Sequence, residues 1–243
     1  MIVDEADRMV DVGFMPAVNR LLDATPGRRQ TVLFSATLDK QVDKVIANHL
    51  PSASRHRIVA DEVELSRATH LFWSTRPEER VTLTAEIVRR SGRTIIFTRT
   101  KRGADRVAKQ LEALGVNAAA IHGDRSQAQR ERALEKFRAG RVTALVATDV
   151  AARGIHVDAV GSVVHFDPPE VAADYQHRSG RTARAGASGI VTTFVVSDKR
   201  RAVRGLQREL GRTEPVTAPD IALIPELPPV DCLLYTSPSP RDS

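Results

Sequence analysis

Apolar residues in this chain fall into short, nearly unbroken runs, separated by longer stretches in which they recur every three or four positions. Runs such as Thr94-Ile95-Ile96-Phe97, Ala144-Leu145-Val146 and Val163-Val164-His165-Phe166 show no polar alternation, so both faces of each strand must be covered. Further strands are predicted at 71–73, 118–121 and 190–196. Helical spacing in the gaps predicts helices over 77–90, 101–114, 126–138, 170–178 and 199–210, with Pro77 in the first turn of the first. The front of the chain repeats the alternation, with strands at 2–3, 31–34 and 56–60 and helices at 15–24 and 39–50, the latter capped by Asp39. The pattern predicts an α/β fold whose parallel sheets carry helices on both faces. A polar, acidic stretch at 61–66 reads as a linker between a block at 1–60 and a block at 67–210, and the Pro-rich stretch at 211–231 reads as a disordered tail.

Polar residues fall at regular places in this pattern. Ile2-Val3 is followed by Asp4-Glu5, Leu33-Phe34 by Ser35-Ala36-Thr37, and Ile96-Phe97 by Thr98-Arg99-Thr100. Ala120-Ile121 is followed by His122-Gly123-Asp124, and Val146-Ala147 by Thr148-Asp149. Each group sits just past the carboxyl end of a strand, the edge along which open α/β sheets bind ligands. One such pair means little; five point to a binding edge.

Composition narrows the partner. The chain of 243 residues carries a net charge of +6, with 36 basic residues among which Arg dominates. That surplus favours a polyanionic partner, although a codon preference for Arg explains it equally well, and charge alone does not separate RNA, DNA and ribosome binding. The one cysteine, Cys232, excludes intramolecular disulfides and Cys-clustered zinc and suits a reducing cytoplasm. No apolar run is long enough to predict a membrane span.

Asp4 and Glu5 are paired carboxylates at a strand end, where phosphate-handling ATPases hold Mg²⁺ and orient the attacking water. The same pair could simply cap a helix; the Ala6-Asp7-Arg8 that follows, together with Ser35-Ala36-Thr37, favours the phosphate reading. Arg178, Arg181 and Arg184 recur every third residue, interrupted by Gly180 and Gly186. Guanidinium forks fit phosphate oxygens. A solvated basic helix face is the plainer alternative, against which the small residues beside each Arg argue.

These motifs resemble the DEAD-box family of ATP-dependent RNA helicases, of bacterial type. The resemblance rests on Val3-Asp4-Glu5-Ala6-Asp7, Ser35-Ala36-Thr37, the run Ala147 to Gly154 and the run His177 to Gly186, and it covers residues 1–210 in order. It implies two RecA-like domains, one partial and one complete helicase C-terminal domain, acting as a monomer with ATP, Mg²⁺ and RNA as ligands and ribonucleoprotein or ribosomal partners possible. By resemblance, Asp4 would hold Mg²⁺ through water, Glu5 would activate the hydrolytic water, and Arg181 and Arg184 would face the phosphates. Gly154 and His156 would border the nucleotide, and Asp7, Ser35, Thr37 and His177 would couple hydrolysis to domain closure. Thr98, Arg99, Gly123, Gln127, Arg130 and Thr148 would line the RNA backbone, reading phosphates and 2′-hydroxyls rather than sequence. A catalytically inactive RNA- or protein-binding module and a related DNA helicase are the competing readings.

Two departures from the family pattern stand out. No Gly is followed by Lys anywhere, so the G-x-x-x-x-G-K-[ST] phosphate loop is absent from this sequence. The expectation is therefore an N-terminally truncated fragment without ATPase activity of its own. His156 stands where the family usually has an Asp that touches the ribose. Imidazole can still hydrogen-bond a hydroxyl. Finally, residues 232–243 match the conceptual translation of a sequencing adapter and are expected to be library-derived; a natural disordered tail is the alternative.

Overall fold

The computed structural model describes residues 1–4, 6, 9, 14–24, 30–35, 40–56, 68–152, 157, 160–183 and 189–226. The chain divides into two compact units, Met1–Ala60 and Asp61–Ser243.

In the first unit, β1 (Ile2–Val3) pairs in parallel with β2 (Val32–Leu33), Ile2 opposite Val32 and Val3 opposite Leu33. Helices α1 (Met15–Asp23) and α2 (Lys40–His49) accompany them. Val3 and Ala6 pack with Val18 and Leu22 of α1 and with Val42, Val45 and Ile46 of α2. The spacing of these apolar residues is that of one helical face, as the sequence predicts. Residue 39, residues 57–60 of the predicted third strand, the predicted linker 61–66, and residues 227–243, which include the adapter-like segment, lie outside the described residues.

The second unit is built on seven strands: β3 (Ala68–Ser74), β4 (Thr94–Phe97), β5 (Ala118–Ile121), β6 (Ala144–Ala147), β7 (Ser162–His165), β8 (Gly189–Val195) and β9 (Val216–Thr217). Their order is β5-β6-β4-β7-β8-β3-β9, and every pairing is parallel. Successive residues of a strand face opposite sides, so Ile95 and Ile96 enter different cores. On one face, Phe72, Ile95 and Leu145 pack under α5 (Gln127–Arg138), α7 (Ala172–Ser179) and α8 (Arg200–Glu209), through Phe137, Tyr175, Val203 and Leu206. On the other, Trp73, Ile96 and Phe194 pack under α3 (Arg80–Ser91) and α4 (Lys101–Ala113), through Ile87, Val107 and Leu111. A short helix, α6 (Asp149–Ala152), follows β6. Coverage on both faces is why the strands read as continuous apolar runs.

Local chemistry sets the helix starts. Thr100 caps α4, its Oγ1 accepting from the Gly103 N–H at 3.0 Å. Ser126 and Gln129 form a reciprocal capping box at α5, with Gln129 N–H on Ser126 Oγ and Ser126 N–H on Gln129 Oε1. Pro77 does not sit in the first turn of α3: the helix begins at Arg80. The Glu79 carboxylate accepts from the Arg76 backbone N–H at 3.1 Å and from its Nε at 2.8 Å, closing a separate turn over 76–79.

The stretch after Gly211, expected to be disordered, is ordered to residue 226. Val216 and Thr217 form β9 against Phe72 and Trp73 of β3. Arg212 donates from Nη2 to His70 Nε2 at 2.7 Å and from Nη1 to Glu214 at 2.6 Å, and Gln207 Nε2 holds the Glu214 carbonyl at 2.8 Å. Arg has no acceptor, so His70 Nε2 must be the acceptor and its Nδ1–H donates to the Tyr175 hydroxyl at 2.7 Å. Ile224 is fully buried in the core on the α3–α4 side. Ile224, with the partly buried Val216 and Ile221, and these polar contacts hold the segment where the periodicity gives no signal.

Candidate nucleotide and RNA site

In the first unit, parallel pairing of β1 and β2 puts their carboxyl ends side by side. The ladder continues past the strands, Phe34 N–H reaching Val3 O at 2.8 Å and Ala6 N–H reaching Phe34 O at 3.0 Å. Asp4 and Ser35 therefore share one edge, Asp4 exposed and Ser35 half-buried. Glu5, Asp7 and Thr37 lie outside the described residues. No cluster of three ligating side chains exists among the described residues. An exposed carboxylate at a strand end is of the kind that suits Mg²⁺, which keeps several waters and takes one or two carboxylates together with phosphate oxygens.

In the second unit the predicted RNA residues converge. Strands β5, β6 and β4 are neighbours, and Gly123, Thr148 and Thr98 follow their respective carboxyl ends. The ladder runs on between them: Thr98 N–H meets Ala147 O at 3.0 Å and Thr148 N–H meets Ile121 O at 3.3 Å. Thr98 and Thr148 are buried. The Thr98 hydroxyl reaches Thr100 O at 3.4 Å, so this side chain is turned to its own loop. Gly123 is exposed, and a Cβ there would meet the end of the Lys101 side chain, Cε at 3.5 Å and Nζ at 3.7 Å.

Arg99 is exposed, with its N–H on Asp167 Oδ2 at 2.9 Å and its guanidinium on Glu170 at 2.9 Å. Gln127 and Arg130 lie in the first turn of α5, where Arg130 Nη2 reaches Ala151 O at 3.3 Å. That contact ties the helix after β5 to the helix after β6.

The arginine motif divides. α7 ends at Ser179 with Gly180 as its C-cap, so Arg181 lies beyond the helix, half-buried, and the every-third-residue spacing does not form one helical face. Arg178 is not a phosphate-facing fork. It is 5 % exposed and holds Asp149 with Nε–Oδ1 2.6 Å and Nη2–Oδ2 2.8 Å, while Nη1 donates to Asp167 O at 2.8 Å. Its guanidinium also lies 5.1 Å from the centre of the Phe97 ring. Sequence spacing groups the three arginines; only the packed structure shows that one has an internal partner. His177 sits half-buried in the last turn of α7. Gly154, His156 and Arg184 lie outside the described residues.

Several supporting groups carried no sequence signal. Asp167, just past β7, accepts from Arg99 N–H and pairs with Arg80 Nη1 at 3.2 Å. Asp105 on α4 joins His122 Nε2 at 2.9 Å and Arg125 Nη2 at 2.6 Å, bracing the loop that carries Gly123. Burial would raise the Asp105 carboxyl, but the bonds from His122 and Arg125 outweigh it and hold it below its ordinary value. His165 on β7 is pushed well below the ordinary imidazole value by burial and by neighbouring Arg178 and His70. It stays neutral, with Nδ1 at 3.1 Å from Thr193 Oγ1.

Comparison with known proteins identifies the family of both units. Residues 1–45 match the DEAD/DEAH box helicase family and residues 79–186 the helicase conserved C-terminal domain. The chain is 38 % identical over 216 residues to the ATP-dependent RNA helicase RhlB of Pseudomonas syringae pv. tomato, covering 87 % of this chain and 54 % of that protein. It thus spans about half the length of the curated relatives of this kind. The structure of Saccharomyces cerevisiae Dbp5 bound to RNA and ADP BeF3 aligns at TM-score 0.78 and 30 % identity, over 90 % of this chain and 59 % of that one. Escherichia coli SrmB, solved with the regulator RraA, aligns at TM-score 0.58 and 30 % identity, over 72 % of this chain and 98 % of that one. The parallel sheets are accordingly those of RecA-like helicase domains, and the chain belongs to the DEAD-box ATP-dependent RNA helicase family.

Proposed function

We propose that this chain is the RNA-gripping portion of an ATP-driven RNA remodelling enzyme, comprising a helicase C-terminal domain and part of an ATP-binding domain. The observation that carries this reading is the convergence of Thr98, Arg99, Gly123 and Thr148 on the carboxyl ends of three adjacent strands, with Arg130 tied to the same edge. An exposed glycine, Gly123, and an exposed guanidinium, Arg99, on one edge suit a phosphate-and-sugar track, which recognises RNA without reading its sequence.

Magnesium-bound ATP, when held, supplies the phosphoryl chemistry. On the chain's side, Asp4 is the carboxylate suited to carry a hydrated Mg²⁺, and Glu5 is the assigned base for the attacking water. Arg181 and Arg184 are assigned to phosphate charge, and Gly154 and His156 to the nucleotide's border. Asp7, Ser35, Thr37 and His177 are the assigned link between hydrolysis and closure.

A second reading, of binding without hydrolysis, applies to the 243-residue chain as such, because its sequence has no G-K-[ST] phosphate loop. Fluorescence anisotropy with matched RNA and DNA oligonucleotides, alongside a phosphate-release assay, tests both. RNA should bind more tightly than DNA, Arg99→Ala and Arg130→Ala should each lower the salt slope by about 1, and RNA should stimulate no phosphate release. Equal affinity for DNA would replace the RNA reading with the DNA-helicase one, and RNA-stimulated hydrolysis would overturn the inactive-chain reading.

A further inference from the structure

A cleft of about 720 Å³ runs along the outer side of α8. Its charged lining is five arginines, Arg200, Arg201, Arg204, Arg208 and Arg212, against one carboxylate, Glu214, and the rest of the lining is polar. Arg200, Arg204 and Arg208 recur one turn apart, about 6 Å along the helix axis. With Arg201 they are exposed, and no ion pair engages any of the four among the described residues.

The cleft is built rather than incidental. Val203 and Leu206 anchor the opposite side of α8 in the core. The far wall is fixed by Arg212 on His70 and Glu214 and by Gln207 on the Glu214 carbonyl. Glu214 is thereby committed to Arg212 and leaves the other four arginines uncompensated.

The chemistry selects the ligand. A protein partner's interface would be expected to have an apolar or aromatic core, and no aliphatic or aromatic side chain lines this cleft. A row of guanidinium forks asks only for phosphate or carboxylate oxygens. The position adds continuity. Ser197, at one end of the cleft, follows β8, whose carboxyl end lies on the same sheet edge as those of β4, β5 and β6. β8 lies two strands beyond β4, about 10 Å away.

We propose that the arginine face of α8 is a second phosphodiester-binding surface, which holds RNA extending past the strand-end site. This rests on the RNA reading above.

The test is anisotropy of the full 243-residue chain with a single-stranded RNA of about 20 nucleotides, longer than one binding fold tracks, and with one of about 6 nucleotides. KCl is varied from about 50 to 200 mM. For the long RNA, R200E/R204E/R208E should weaken binding on the order of ten-fold and lower the salt slope by about 2. The short RNA should bind as before, and R200K/R204K/R208K should keep the slope. Thermal melting checks the fold; if the glutamate variant melts early, R204Q/R208Q gives the same reading, with the slope falling by about 1.

Unchanged affinity and slope for the long RNA would overturn the proposal. If Arg99→Ala and Arg130→Ala weaken binding while the α8 variants do not, only this inference fails. If the unaltered chain binds no RNA, the underlying reading fails as well.

Discussion

Arg178 grips Asp149 through two parallel hydrogen bonds, Nε–Oδ1 at 2.6 Å and Nη2–Oδ2 at 2.8 Å, and so joins α7 to the start of α6. Thr148 precedes the carboxylate and His177 precedes the guanidinium. The pair therefore fixes the spacing between a candidate RNA contact and a candidate coupling residue. Because it is nearly enclosed, Arg178→Ala would leave Asp149 without its counter-charge and should cost about 3–5 kcal/mol. Arg178→Lys keeps the charge but loses the fork, and should recover only part of that. Urea unfolding of the second unit measures both; a loss under about 1 kcal/mol would mean that water takes over the pair.

Gly189, at the start of β8, lies against the turn that follows Arg181. A Cβ there would stand 2.4 Å from Thr182 Oγ1 and 2.6 Å from the Ala183 nitrogen, too close for either to remain in place. Ala183 already adopts a left-handed φ of 58°. Gly189→Ala should therefore displace residues 181–183 and destabilise the unit by about 1–3 kcal/mol. Ala183→Gly, which relieves the positive φ, should be neutral or mildly stabilising. Calorimetry of both variants checks this, and an unaltered melting temperature for Gly189→Ala would contradict the close approach.

Stability should fall with acid in two steps. His165 is held neutral in the folded state, mainly by burial, so below its unfolded value of about 6.5 the unfolded chain binds the extra proton. Stability is then lost as pH falls from about 6.5 toward the lowered folded value, at up to about 1.4 kcal/mol per pH unit. The second step belongs to Asp105 and Glu214, whose folded values are depressed: their contribution is present above the ordinary carboxylate range and disappears as pH drops through it. Urea midpoints from pH 7 to 4 follow the first step. His165→Asn should flatten it, and an unchanged slope in that variant would assign the step elsewhere.

The strand-end site was legible because a parallel sheet buried on both faces writes its strands as unbroken apolar runs. Whatever polar residue comes next must mark an edge. Thr98, Gly123 and Thr148 stand out on that ground. Side-chain partnership was not legible: nothing local distinguishes Arg178, which turns inward to Asp149 about thirty residues earlier in sequence, from Arg181 three positions later. Pro77 misled because Pro is favoured in a first helical turn and also in the turn before one. The Arg76–Glu79 contacts decided between the two. The order beyond Gly211 escaped because it depends on single residues, Arg212 and Ile224, rather than on a period.

Ile224 anchors that segment in the core. Fully enclosed between α3 and the sheet, it should cost about 2–5 kcal/mol when cut to Ala. Ile221→Ala, only half-buried nearby, should cost less. Chemical denaturation of the two variants orders them. Equal, small losses would show that the segment contributes little to the core.

The two-residue strand β9 has a consequence out of proportion to its length. It lies along the outer side of β3, a seven-residue strand whose residues 72–74 read Phe-Trp-Ser. A chain cut after Gly211 would bare that rim to solution, and an uncovered strand edge is a template for another copy. Its failure would then be intermolecular: insoluble material at concentrations where the longer chain stays clear, even if each shortened molecule still folds.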